Sequence, residues 1–368
     1  MITRLKDILI RSGAVAGGAL RAECVDDRAW ESYLDWINNG FQAGMGYMEN
    51  HLPIRRDPRL LLEGAATIIS LAFPFKPPRF RDTEKGMIAC YAYGSDYHDV
   101  IRARLNKAVG EMKECFGGEY RICIDSAPIM ERYWAAQIFE RGDNGSVIVP
   151  GYGNMVFLAE ILTTLPLERY GPLFLVNASE NGMSSCNHCG RCRKACPAGA
   201  ILADGRVDSR RCLSYLTIEH RGEWTSPEAI EATQTEAGKN LIFGCDLCLR
   251  CCPLNRNTPP SDIEEFDPRE EVMNLTKEDV KQMKQEDFSR IFKGSPIKRC
   301  KLNGLKRNIV SSLNNYPFIL AKFHKNSLNL EPKTNHSKHC EKILKSYTNR
   351  NSPFCISRNE SSSTFGIL

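Results

Sequence analysis

Eleven consecutive positions, 186–196, hold four cysteines, and a proline closes the run: CNHCGRCRKACP. A second dense stretch, CDLCLRCCP, places Cys245, Cys248 and Cys252 ahead of Pro253. Thiols this close together serve three chemistries: disulfides, zinc sites and iron–sulfur clusters. Disulfide scaffolds belong to short exported chains. This one has 368 residues and 16 cysteines, and its start, MITRLKDILIRSGAVAGGAL, is amphipathic, without the unbroken apolar stretch of a leader. The expected location is therefore cytoplasmic. No stretch approaches the ~18 uncharged apolar residues of a membrane span, so no membrane partner is expected.

The first run has the spacing C-x2-C-x2-C-x3-C-P. In bacterial ferredoxins three cysteines of that pattern hold one 4Fe–4S cube and the fourth crosses to a neighbouring cube. A crossing ligand demands a second set, and Cys245, Cys248 and Cys252 supply it with one thiolate short. Cys212, 33 residues before Cys245, replaces the missing one. One cluster is thus assigned to Cys186, Cys189, Cys192 and Cys252. The other falls to Cys196, Cys212, Cys245 and Cys248. Zinc also uses C-x2-C pairs, but has little use for a third cysteine two residues on or for a repeated C-P ending. Cys251 reads as a spare. Cys24, Cys90, Cys115, Cys123, Cys300, Cys340 and Cys355 have no spacing partner and read as small apolar residues.

Elements must carry these thiols and whatever they serve. AATIISLAF (65–73) reads as a buried strand ended by PFKPP, and YRICID (120–125) as a second. SAPIMERYWAAQ reads as a helix with Pro128 in its first turn. MVFLAEILTTL (155–165) is apolar and reads as helical in its later part. The pattern suggests an α/β domain over residues 1–175, followed by a cysteine, glycine and proline-rich module over 176–260. Residues 261–309 read as helical with a basic end. Residues 310–368, with 8 Asn and 10 Ser from Ser311 onward, read as a disordered tail. The net charge of +5 resides in that tail, whose eight Lys/Arg face three Asp/Glu, so overall charge argues for no nucleic-acid partner. A local run does: KGSPIKRCKLNGLKRN (293–308) carries Lys293, Lys298, Arg299, Lys301, Lys306 and Arg307 without one acid. It reads equally as an RNA contact or a solvated helix face. No G-x-G-x-x-G supports a dinucleotide site.

Several segments then converge. RRDPRLLLEGA (55–65), YGSDYHDVIRARL (93–105), ICIDSAPIMERYWA (122–135) and RRCLSYLTIEHRG (210–222) occur in order with the two cysteine motifs. Together, over about residues 1–309, they resemble the epoxyqueuosine reductase family. The resemblance implies an α/β (α+β) cobalamin-binding domain similar to the reductive dehalogenase and nitroreductase-like core, feeding from a ferredoxin-like module with two 4Fe–4S clusters. It also implies reduction of the epoxide of epoxyqueuosine, at the wobble position of tRNAs with GUN anticodons. An external electron donor of flavodoxin or ferredoxin type is implied, and the chain is expected to act as a monomer. A two-cluster electron carrier without catalysis, and a cobalamin-dependent enzyme closer to reductive dehalogenases, stand as alternatives.

By the same resemblance Asp125 is the proton donor. From the residues alone it reads as an N-cap for the following helix. A carboxyl that donates near neutral pH needs a pKa well above about 3.9, and burial at a strand end after Ile122 and Ile124 would raise it. Arg55, Ser214 and Asn144 are implied cofactor contacts, and Tyr97 and His98 are implied at the mouth of the site. One departure stands out. QIFERGDNGSVIV (137–149) is shorter than the family's glycine-rich stretch, keeping Gly142 and Asn144 but placing Asp143 where lysine is expected.

Overall fold

In the computed structural model, the apolar run at 65–73 becomes the middle of an antiparallel sheet. The strands are β1 (Ala16–Arg21), β2 (Thr67–Pro74), β3 (Met87–Ile88), β4 (Tyr120–Cys123), β5 (Glu140–Arg141), β6 (Val147–Ile148), β7 (Val156–Thr163), β8 (Leu175–Val176) and β9 (Leu241–Phe243). The main sheet has the order β4-β7-β2-β1-β8, every neighbouring pair antiparallel. The structure describes residues 2–169, 175–176 and 185–310. The expectation for the tail from 311 lies outside them.

The helices are α1 (Ile2–Arg11), α2 (Asp27–Asn38), α3 (Leu52–Arg56), α4 (Tyr97–Phe116), α5 (Glu131–Ala136), α6 (Arg191–Ala195), α7 (Leu213–Ile218), α8 (Pro227–Gln234), α9 (Glu236–Asn240), α10 (Leu247–Arg250), α11 (Glu270–Asn274), α12 (Lys277–Gln282), α13 (Gln285–Ile291) and α14 (Lys301–Val310). Every residue of β2 is buried because both faces of the sheet are covered. Ile69, Leu71 and Phe73 point into a core shared with Leu5, Ile8 and Leu9 of α1 and Ile101 and Leu105 of α4. Ile68 and Leu162 point the other way, among Trp30 and Tyr33 of α2 and Tyr133 and Trp134 of α5. That alternation is the period of two that a strand imposes.

Two expectations give way here. The 155–165 segment is a strand throughout its ordered length, β7, pairing with β2 on one side and β4 on the other. A run buried on both faces loses its alternation, so its apolar pattern cannot separate strand from helix. Its β-branched and aromatic residues, Val156, Phe157, Ile161 and Thr163, suit the strand. The helix expected from Pro128 begins only at Glu131, with Met130 at its N-cap position. Asp125 lies outside it and is no cap.

The helical zone after 261 packs into the same core as the sheet: Val272, Val280, Phe288, Phe292 and Leu305 join the cluster that holds Phe73 and Ile101. Gly94 allows this chain to approach, since a Cβ there would sit 2.6 Å from the Phe266 backbone carbon. The Ser95 N–H donates to the Glu265 carbonyl at 2.8 Å, which fixes the start of α4. At the end of the zone, α14 carries Arg307 inward rather than to solvent. Its guanidinium donates to the carbonyls of Leu216, His220 and Gly222, bracing the turn after α7. Among the described residues no helix is long and apolar enough to cross a membrane.

Candidate active site and cysteine module

β4 is an edge strand, and the chain leaves it through Ile124, fully buried, into Asp125, whose φ is +42°. The Ser126 N–H turns back to the Ile124 carbonyl, closing a tight turn around Asp125. A non-glycine residue in this region is uncommon and costs of order 1–3 kcal/mol, so its surroundings must hold it there. They do so through the side chain and backbone together. Tyr97 Oη donates to Asp125 Oδ2 at 2.7 Å, and His98 Nε2 lies 3.2 Å from the same oxygen. The Asp125 N–H donates to Glu131 Oε2 at 3.2 Å.

Tyr97 and His98 open α4. Asp96 caps that helix by accepting from the His98 N–H, and its Oδ1 also lies 2.8 Å from His98 Nδ1. His98 is thus held between two carboxylates. Tyr97 stacks on Phe157 of β7 with ring centroids 4.2 Å apart and planes 7° apart, which fixes its hydroxyl.

The electrostatics differ from the expectation for Asp125. Surrounding atoms push its carboxyl up, but hydrogen bonds from His98 and Tyr97 outweigh them and hold it below the usual carboxylate range. Its side chain is 54% exposed, so water moderates the desolvation and the downward direction stands. Desolvation lowers His98, but hydrogen bonds to Asp125 and Asp96 dominate and raise it to about 9. Burial, then the Asp125 charge, raises Glu131 to about 7. At neutral pH the proton of the Asp125–His98 pair therefore rests on His98. Sequence inspection sees the apolar Ile122 and Ile124 but not the two donors.

The cysteines gather in two groups. Cys186, Cys189, Cys192 and Cys252 line one cavity with Gly142, Asp143 and Asn144 of the β5–β6 hairpin. The Cys186 N–H donates to Glu140 Oε2 at 3.0 Å, and Asp143 Oδ1 lies 2.6 Å from His188 Nδ1. The residue that departs from the family pattern thus binds the cysteine loop. In the other group, burial and the neighbouring Cys245, Cys212 and Cys196 all push the Cys248 thiol up. Backbone N–H groups answer: those of Tyr215 and Ser214 point at Cys212, that of Leu247 at Cys245, and the Ala200 N–H donates to Cys196 Sγ at 3.3 Å. Thiolates packed this closely repel one another unless a cationic centre sits among them. The donor sets fit iron–sulfur clusters.

Other candidates are placed differently. Arg55 is buried, donating to the carbonyls of Asn50 and Tyr47, so it organises the 47–50 loop instead of projecting towards a ligand. Ser214 is half-buried in the first turn of α7, next to Leu213 and two residues beyond Cys212. Asn144 is buried beside the cysteines, its Nδ2 3.5 Å from the Cys248 carbonyl, and not beside Asp125. In the basic run Arg307 is internal and Arg299 is paired bidentately with Glu219, while Lys293, Lys298 and Lys301 are exposed and, among the described residues, have no acidic partner. Nothing in the residue pattern singled out Glu131, the Glu219–Arg299 pair, or Tyr47, which is raised to about 12 chiefly by burial and feels the charges of Glu219, Asp125 and Arg299. Arg132 acts electrostatically on both Asp125 and Cys212.

A mixed α/β domain with an acid–base cluster, joined to paired cysteine groups, defines an iron–sulfur oxidoreductase. Residues 55–126 match the family described as epoxyqueuosine reductase QueG, DUF1730, and residues 185–255 match the 4Fe-4S double cluster binding domain. The epoxyqueuosine reductase of Cyclobacterium marinum is 39% identical over 280 residues, covering 75% of this chain and 85% of that protein. That of Cellulophaga algicola is 33% identical over 316 residues, covering 83% and 95%. An epoxyqueuosine reductase structure from Bacillus subtilis, its catalytic aspartate loop swung out of the active site, has 25% identity and a TM-score of 0.70, covering 85% of this chain and 82% of that one. The fold is also that of an epoxyqueuosine reductase crystallised with an epoxyqueuosine-modified tRNA stem loop, with a TM-score of 0.71 over the same shares. The chain belongs to the epoxyqueuosine reductase family.

Proposed function

We propose that this protein reduces the epoxide of epoxyqueuosine, at the wobble position of tRNAs with GUN anticodons, to the alkene of queuosine. The reaction consumes two electrons and two protons and releases the oxygen as water. The observation that carries this reading is that Asp125, held at a positive φ by Tyr97 and His98, occurs in one chain with a cavity lined by Cys186, Cys189, Cys192 and Cys252. Groups suited to proton chemistry and to electron chemistry thus stand in one protein.

Cys186, Cys189, Cys192 and Cys252 would hold one 4Fe–4S cluster, and Cys196, Cys212, Cys245 and Cys248 the other. Cobalamin would be held in a domain of the nitroreductase-like kind, with Ser214 and Asn144 contributing polar groups and Arg55 acting through the 47–50 loop it braces. When bound, the clusters supply single electrons and the cobalt a strong reductant or nucleophile.

The protein's own residues manage the protons. His98, backed by Asp96, stores one at neutral pH, and Glu131 titrates near neutrality beside it. Excluding water from the Asp125–His98 pair favours its neutral form, with the proton on Asp125. Tyr97 Oη orients that carboxyl. Lys298 and Lys301, exposed near Arg299, suit contact with tRNA phosphates.

The test is reconstitution followed by visible spectroscopy and turnover of epoxyqueuosine-tRNA. A corrin band beside the broad iron–sulfur absorption, with queuosine formed, is the expected result. Full iron content without bound corrin or turnover would reduce the protein to an electron carrier.

A further inference from the structure

The first cysteine group opens onto the surface. Cys189 is exposed, whereas the other seven assigned cysteines are half-buried. Arg191, Arg193 and Lys194 follow it, all exposed. The second cysteine stretch converges on the same place, because Cys252 lines the cavity of Cys186, Cys189 and Cys192. Beside it lies an open cavity of about 290 Å³, lined by Phe80, Arg250, Cys251, Cys252 and Arg256 among others.

The charge of this face is one-sided. Residues 185–203 and 247–261 together hold five Lys/Arg and no Asp/Glu. Among the described residues none of these five cations has an acidic partner within 4.0 Å. Acids border these stretches and most are engaged: Asp143 with His188, Glu140 with the Cys186 N–H, Asp204 with Arg206 and Asp246 with the Cys90 N–H, while Asp262 follows the second stretch directly. Lys76 is spent internally, donating to the carbonyls of Asn255 and Thr258 and so bracing the loop that carries Arg256. Phe80 is 37% exposed with the Arg250 guanidinium 4.6 Å from its ring centre, an apolar anchor amid the charge. Exposed aromatic and arginine side chains are favoured contact residues in protein interfaces.

We propose that this face docks an acidic one-electron carrier protein, which delivers electrons to the cluster held by Cys186, Cys189, Cys192 and Cys252. The proposal rests on the reductase reading above and adds where its electrons enter. At each visit the carrier loses one electron and the cluster gains one. Two visits supply the pair that the epoxide consumes. Unpaired cations around an exposed thiolate cluster steer an acidic partner and orient its redox centre towards the iron.

The test uses the reconstituted full chain, with flavodoxin hydroquinone as the carrier probe and dithionite as the small reductant. In K194E/R256E, both positions lying outside the ligand set, cluster reduction by flavodoxin should slow about 10-fold or more at low ionic strength. The deficit should shrink as salt rises. Flavodoxin binding should weaken in parallel, while iron content, dithionite reduction and tRNA affinity stay at wild-type values. Wild-type flavodoxin kinetics in the variant would overturn the proposal, and so would a loss confined to tRNA binding, which would give the face to RNA. If the double variant loses iron, R256Q alone decides by the same readouts. Failure of epoxide reduction with dithionite would refute the reductase reading and leave the flavodoxin measurement intact.

Discussion

Asp125→Asn separates the chemistry of the acid–base cluster from its architecture. An amide oxygen in the place of Oδ2 keeps the 2.7 Å hydrogen bond from Tyr97 but removes the charge 3.2 Å from His98. His98 then retains only Asp96, at 2.8 Å, of its two carboxylate partners. An opposite charge at this range shifts a pKa by about 1–3, so losing one of two brings His98 from about 9 to between about 6 and 8. Ring-labelled histidine NMR reads that change, with His98→Gln identifying the resonance among the seven histidines. Epoxide reduction should fall by about 100-fold or more, the scale of a lost general acid. Iron content and bound cobalamin should not change. Turnover at the wild-type rate would remove Asp125 from catalysis. An unmoved His98 would show that Asp96 alone sets its proton affinity.

The two cysteine groups should be lost separately: Cys186→Ala and Cys245→Ala are each expected to lower iron from about eight to about four per chain, from different clusters by electron paramagnetic resonance. Arg307→Met strips the donors from three internal carbonyls and should cost about 3 kcal/mol in urea unfolding. His98 contributes stability that is fully present below its unfolded pKa of about 6.5 and is lost as pH rises through about 9. The fall in melting temperature between those values should be smaller in His98→Gln than in the wild type.

Local spacing made the cysteine groups legible, because thiols two or three residues apart can reach a common centre whatever surrounds them. Even the crossing of Cys252 to the first group and of Cys196 to the second was expected from the repeated C-P ending, and the structure gathers the thiols in that way. Features set by long-range packing were not legible. β7 carried no alternation because β2, β4 and helices on both faces enclose it. Arg307 looked like its neighbours Lys301 and Lys306 until the turn after α7 supplied three carbonyls. The downward shift of Asp125 depends on side chains 27 and 28 residues away in sequence. The hairpin contact of Asp143 with His188 spans 45. A resemblance to a family places such residues by position, but only the packed chain shows which donors each one meets.

The conformation of Asp125 determines which substitution can be informative. At φ +42° the residue is held by its own side chain as much as by its neighbours, since Tyr97 and His98 grip the carboxylate while Glu131 takes the N–H. Aspartate and asparagine tolerate the left-handed region better than other non-glycine residues. Alanine would remove the grip and add strain together, so an inactive Asp125→Ala would not distinguish a lost acid from a displaced loop. Glycine would relieve the backbone and lose the acid, which confounds the opposite way. Asparagine alone keeps the volume, the turn and the tyrosine contact, changing only the charge and the capacity to donate a proton from oxygen. The strained backbone at this residue is therefore what makes the nearly isosteric replacement the decisive one.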